Sequence, residues 1–120
     1  MFKTIFKKIA EKLTWQEGRQ GNLGRTYYKM PLFEGKQFDT WVLRYPANTG
    51  LVEHTDPVPS GFEHHRMNFI LVGNAAFNCE KAYVNLPRFT YFRPDVMPHS
   101  VEKVPFPRVV LSFGWLKKAA

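Results

Sequence analysis

The chain is short of cysteine, of acidic side chains and of long apolar runs. Its 120 residues include one cysteine, Cys79, so no intramolecular disulfide can form and a secreted mini-protein held by bridges is excluded. A reducing, cytoplasmic setting is the expectation. No stretch approaches the roughly 18 consecutive apolar residues of a membrane-spanning helix. Lysines also interrupt the N-terminal region where a signal peptide would carry an unbroken apolar core, so a soluble, unprocessed chain with no membrane association is expected. Internal repeats and low-complexity segments are missing. Acids number 10 against 17 Lys and Arg, a formal charge of +7, and the excess is unevenly placed. Residues 1–30 hold seven Lys/Arg and two acids, Lys117 and Lys118 add two more cations, and residues 31–116 carry eight of each sign. The body is therefore neutral. The basic fringe reads as a solvated face, or else as an arm for nucleic acid whose binding would fall steeply with salt.

What is present is enough apolar material, 44% hydrophobic and 16% aromatic, to close one core in one domain. Phe2, Ile5, Phe6, Ile9 and Leu13 recur at helical steps between lysines and glutamate, which predicts an amphipathic helix at about 2–14 packed on its own domain. From Trp15 to Pro31 the glycines Gly18, Gly21 and Gly24 interrupt any period, so residues 1–37 read as a helix and an irregular arm. From residue 38 to 120 short runs of β-branched and aromatic residues alternate with Pro, Gly and Asn at roughly ten-residue intervals. Strands are predicted at about 38–46, 51–55, 65–72, 75–79, 81–85, 89–93, 99–104 and 108–116, with turns at Ala47-Asn48-Thr49-Gly50, Gly73-Asn74, Asn85-Leu86-Pro87 and Pro105-Phe106-Pro107. Eight short strands predict a mainly β jelly roll, a double-stranded β-helix whose inward positions recur at every second residue.

His54-Thr55-Asp56 is followed, 45 residues after the first histidine, by His99. Alternate residues of a strand point the same way, so His54 and Asp56 can present an imidazole and a carboxylate to one point, and a later strand can bring His99 there. Two histidines and one carboxylate on one face leave several coordination positions open, as non-haem Fe(II) uses; zinc more often takes a closed tetrahedral set. Arg108 lies nine residues beyond His99, and Ser112 shares its face. A buried arginine needs an anion, and its fork suits a carboxylate. The other reading is a surface arginine with an outward serine. His64 and His65 are adjacent and point to opposite sides; a solvated role is expected for them, with contact of one of them with substrate as the other reading. Cys79, with no base near it in sequence, reads as core, as do Trp41 and Trp115, whereas Trp15 is placed where it could border a cleft.

Together Leu43-Arg44-Tyr45, Gly50, His54-Thr55-Asp56-Pro57, Arg66-Met67-Asn68, Phe92-Arg93-Pro94-Asp95, His99-Ser100-Val101 and Arg108 to Ser112 resemble the 2-oxoglutarate/Fe(II)-dependent oxygenases, in the style of the small phage and bacterial members and the prolyl and aspartyl hydroxylase branches. The resemblance covers about residues 38–116. It implies a hydroxylase that couples decarboxylation of 2-oxoglutarate by O₂, to succinate and CO₂, with oxidation of a substrate C–H bond. Carried over by position, His54, Asp56 and His99 are the iron ligands and Arg108 anchors the far carboxylate of 2-oxoglutarate. Ser112 assists there, although many members have that serine two positions after the arginine, where Val110 stands. Tyr45, Arg66 and Asn68 are further cosubstrate contacts, or else Tyr45 is a half-buried strand aromatic and Arg66 and Asn68 a buried structural hydrogen-bond pair. The substrate is open between peptide or protein, slightly preferred, and nucleic acid or small metabolites, and the chain is expected as a monomer or dimer. Gly50 and Pro98-His99 are also similar to the looser motifs of cupins, so a cupin-like metal- or small-molecule-binding protein without oxygenase activity is the alternative.

Overall fold

In a computed structural model the described residues are 14–18, 22–24, 26–74 and 76–119. The helix expected at 2–14 lies almost wholly outside them. Every regular element among the described residues is a strand: β1 (Gln16–Glu17), β2 (Asn22–Gly24), β3 (Tyr28–Glu34), β4 (Phe38–Tyr45), β5 (Thr49–His54), β6 (Phe62–Val72), β7 (Phe77–Asn78), β8 (Val84–Leu86), β9 (Phe89–Phe92), β10 (His99–Val101) and β11 (Arg108–Lys118). They form two antiparallel sheets, of order β1-β3-β4-β11-β6-β9-β8 and β2-β5-β10-β7, packed face to face as a jelly roll. Among the described residues no helix is long and apolar enough to cross a membrane.

All eight strands predicted from residue 38 onward are present. The stretch read as an irregular arm differs: β3 pairs with β4 and β2 with β5. Its described part is thus built into both sheets. The tight corners follow the predicted turn residues. Asn48 takes a positive φ of 64°, a conformation asparagine tolerates better than most, and its N–H closes the corner on the Val104 carbonyl at 2.7 Å.

Strand β11 shows how the interior is built. From Arg108 to Gly114 every second residue is buried, the others half-buried, which is the period-two signature of a central strand with one face on the core. It lies between β4 and β6, with Arg108 opposite Tyr45, and with Ser112 and Gly114 opposite Asn68 and Arg66. The inward face is apolar at one level, where Tyr27, Tyr45, Leu51, Ala76, Val101 and Val110 pack together. Cys79, Phe92 and Met97 form a second cluster, so Cys79 is core as expected, and burial raises its thiol pKa above the usual range. Elsewhere the interior is polar, lined by His64, Arg66, Asn68 and Ser112, and a polar interior needs either internal partners or a ligand.

Candidate metal centre

His54 ends β5 and His99 opens β10, and the two are direct cross-strand partners. Asp56 follows two residues after His54. Its N–H donates to the Pro94 carbonyl at 2.8 Å, which holds the chain extended past the end of β5. One ligand atom from each of the three side chains falls within a cluster no wider than 4.8 Å. His54 Nε2 lies 3.4 Å from Asp56 Oδ1, and His99 Nε2 lies 3.7 Å from Asp56 Oδ2.

The far ring nitrogens decide what this cluster can do. His54 Nδ1 lies 2.7 Å from the Val52 carbonyl and His99 Nδ1 lies 2.9 Å from that of Met97. A carbonyl only accepts, so each Nδ1 carries a proton and each Nε2 is left facing Asp56, where it donates when protonated and offers a lone pair to a metal when it is not. Phe92, edge-on at 5.1 Å, and Phe77, tilted at 5.9 Å, between ring centres, hold the His99 imidazole in place. Burial by itself raises the Asp56 pKa, but the hydrogen bond and charge that His99 supplies when protonated, then the charges of protonated His54 and His64, outweigh it and hold the carboxyl below its ordinary value. An ionised carboxylate between two Nε2 lone pairs fits a divalent transition metal, with positions left over for a small molecule.

The triad faces a cavity of about 210 Å³ whose far wall carries Arg66, Asn68 and Ser112, with Tyr45, Lys29 and Trp41 beside them. The wall is internally bonded. Ser112 Oγ donates to Asn68 Oδ1 at 2.6 Å, Arg66 Nη1 donates to Ser112 Oγ at 2.7 Å, and Arg66 Nη2 donates to Asp39 Oδ1 at 2.6 Å. Arg66 Nη2 also lies 3.3 Å from His64 Nε2. Burial and then the Arg66 charge lower the His64 pKa, so this imidazole is a neutral wall of the cavity. Gly114 makes room for the arrangement, because a Cβ there would collide with the Arg66 guanidinium.

Arg108 and Ser112 share a face of β11, as expected, yet they do not meet. Four residues of strand separate them by about 13 Å, and Ser112 is engaged by Arg66 and Asn68. Arg108 is 1% exposed. Its Nε donates to the Asn74 carbonyl at 3.0 Å, its guanidinium lies 5.2 Å from the Tyr45 ring centre, and its Nη1 has no partner among the described residues. The surface-arginine reading is thereby removed. Instead of lining the metal cavity, Arg108 lines a smaller one of about 20 Å³ that shares Tyr45, Asn68 and Phe77 with it. Tyr45 is stacked on Tyr27 at 5.2 Å; burial foremost, then Tyr27, raises its phenol pKa far above the usual range against the pull of Arg108. It stays protonated and can donate.

Other aromatic and histidine expectations are revised. Trp41 is a cavity wall as well as a packed residue. Trp15 stacks on Arg44 at 4.6 Å from its ring centre, among the residues that face away from the cavity. Neither histidine of the adjacent pair is solvated: His64 lines the cavity, and His65 is 7% exposed on the opposite face, 5.5 Å from Trp115 and nearly parallel to it. Their opposed directions were readable from period two; which of them faced inward was not.

No family model matches the chain, and no curated protein does. Solved structures do. A predicted oxalate decarboxylase from Thermotoga maritima superposes with a TM-score of 0.67 at 14% identity, over 89% of this chain and 96% of its own. The DMSP lyase DddQ from Ruegeria pomeroyi gives 0.63 at 21% identity over 93% of this chain and 60% of its own. A cupin 2 conserved barrel domain protein from Rhodopseudomonas palustris gives 0.60 at 9% identity, over 89% and 74%. At such identities the likeness speaks for the fold: this chain has the jelly-roll barrel of the cupins.

Proposed function

We propose that the chain is a cupin-like metal-binding protein that holds a divalent transition metal through His54, Asp56 and His99 and takes a small ligand in the cavity beside it. The observation that carries the reading is the pair of backbone-bound Nδ1 atoms, which leaves both Nε2 atoms directed at one carboxylate, within reach of a shared metal. The His54 and Asp56 side chains keep 15% and 26% of their surface accessible, so the site opens to solvent. Equilibrium dialysis against Fe(II), Mn(II) and Zn(II) tests it. One metal per chain, lost in His99→Ala, is expected; equal uptake by wild type and His99→Ala would overturn the assignment.

A second reading is favoured by Arg108, a buried guanidinium whose Nη1 is unpartnered among the described residues and which sits behind the metal cavity. In it the protein is an Fe(II)- and 2-oxoglutarate-dependent oxygenase. Iron with 2-oxoglutarate and O₂ would supply the oxidising chemistry. The chain's residues would do the positioning: Arg108 pairing with the far carboxylate, Tyr45 donating its phenolic proton, and the Arg66, Asn68 and Ser112 wall fixing the chain of the diacid. A peptide or protein segment is the substrate class assigned to the open mouth. Anaerobic visible absorption separates the two readings. A charge-transfer band on adding 2-oxoglutarate to the Fe(II)-loaded wild type, absent in His99→Ala, supports the oxygenase; iron bound without any band leaves the cupin-like binding protein.

A further inference from the structure

Three interior spaces follow one another along the barrel, each sharing wall residues with the next. Behind the metal cavity lies the Arg108 chamber of about 20 Å³, and behind that a third space of about 200 Å³ at the β8–β9 turn, lined by Asn85, Leu86 and Pro87. The middle and rear spaces share Ile70, Phe77 and Thr90. Leu86, on the rear rim, is 58% exposed.

In the middle chamber Arg108 is the one charged residue among those lining it. A guanidinium keeps its charge at any ordinary pH, and one buried without a counter-charge is costly. The Asn74 carbonyl accepts from Nε, and Nη1 has no partner among the described residues. The chamber, at about 20 Å³, is the smallest of the three spaces and is of a size for a single small ion. One cation and uncharged walls suit a single negative charge.

We infer that the Arg108 chamber is a binding site for a small inorganic monoanion of the halide or nitrate class, reached past Leu86 from the end of the barrel opposite the metal. The site is independent of the metal triad. It does not require oxygenase chemistry, although a diacid reaching Arg108 from the front would compete with the anion.

Chloride-35 NMR linewidths of the full-length chain, with chelator in excess so that no metal contributes, test it. Wild type should broaden the chloride line, nitrate should reverse the broadening, and Arg108→Met should lose it. A chamber holding only water gives no broadening beyond that of Arg108→Met, which overturns the site. Should Arg108→Met not fold by circular dichroism, nitrate competition in wild type decides: broadening that nitrate leaves untouched also overturns it. Leu86→Trp narrows the rear mouth from a surface position. It should reduce the broadening at low temperature, where exchange is limiting, and restore it on warming; identical behaviour to wild type at both temperatures would overturn the rear route. Failure of any arm leaves metal uptake by His54, Asp56 and His99 to be judged by its own dialysis experiment.

Discussion

Replacing Asp95 by asparagine should weaken the barrel and the metal site together, because the turn after β9 braces both. Asp95 Oδ2 accepts from Arg93 Nη2 at 2.7 Å and Oδ1 from Arg93 Nε at 3.3 Å, with the Asp95 side chain 2% exposed and that of Arg93 20%. The same turn supplies the Pro94 carbonyl to the Asp56 N–H and the Met97 carbonyl to His99 Nδ1. Breaking a fully buried pair costs about 3–5 kcal/mol. Arg93 keeps Glu63 at 3.3 Å and some solvent, and asparagine keeps one acceptor, so the loss should be about 2–3 kcal/mol. For a domain of this size that is a fall in Tm of about 8–12 °C. Burial raises the Asp95 pKa, but the Arg93 hydrogen bond outweighs it and the folded value is lowered. The stabilisation is therefore complete above the unfolded carboxyl pKa of about 3.9 and is lost as pH falls through the lower folded value. Urea unfolding of wild type and Asp95→Asn at neutral pH and stepwise to about pH 3.5 should show the gap beginning to narrow at the acid end. A neutral-pH difference below about 0.5 kcal/mol, or a gap that does not change with pH, would refute the reasoning. Metal affinity should fall by about tenfold as Asp56 and His99 lose their brace.

His99→Ala should weaken metal binding at least about 100-fold, read by dialysis, with the fold retained by circular dichroism. Gly114→Ala should evict the Arg66 guanidinium from the cavity wall; the displaced group is the far end of a flexible side chain, so Tm should change by only about 2–4 °C, while ligand binding in the metal cavity is altered. A crystal structure showing Arg66 still on Ser112 would contradict it. Gly73 has φ of +92° and sits where a Cβ would lie 2.7 Å from the Pro107 carbonyl oxygen and 2.8 Å from Arg108 Cγ. Gly73→Ala should cost about 1–3 kcal/mol by thermal unfolding and displace Arg108, and a variant as stable as wild type would show that the turn relaxes freely.

The sequence alone determined much of this protein. Alternation of apolar and polar residues and the spacing of turn residues located eight strands, because a strand with one buried face imposes period two whatever it packs against. The same rule placed His54 and Asp56 on one side, and it paired Arg108 with Ser112 on one side too. Sharing a side is not sharing a place: along an extended strand those two are too far apart to hold one group, and Ser112 went to Arg66 and Asn68. Tertiary structure also decided the arm, where Gly-rich and Pro-containing residues show little periodicity and become β2 and β3 only by hydrogen bonding to β5 and β4. It chose which of His64 and His65 faced inward, since period two sets opposite directions but not which is in. And it put the Arg108 charge in a small buried chamber without a counter-charge among the described residues, because partners of a buried group come from strands remote in sequence, whose meeting only the fold brings about.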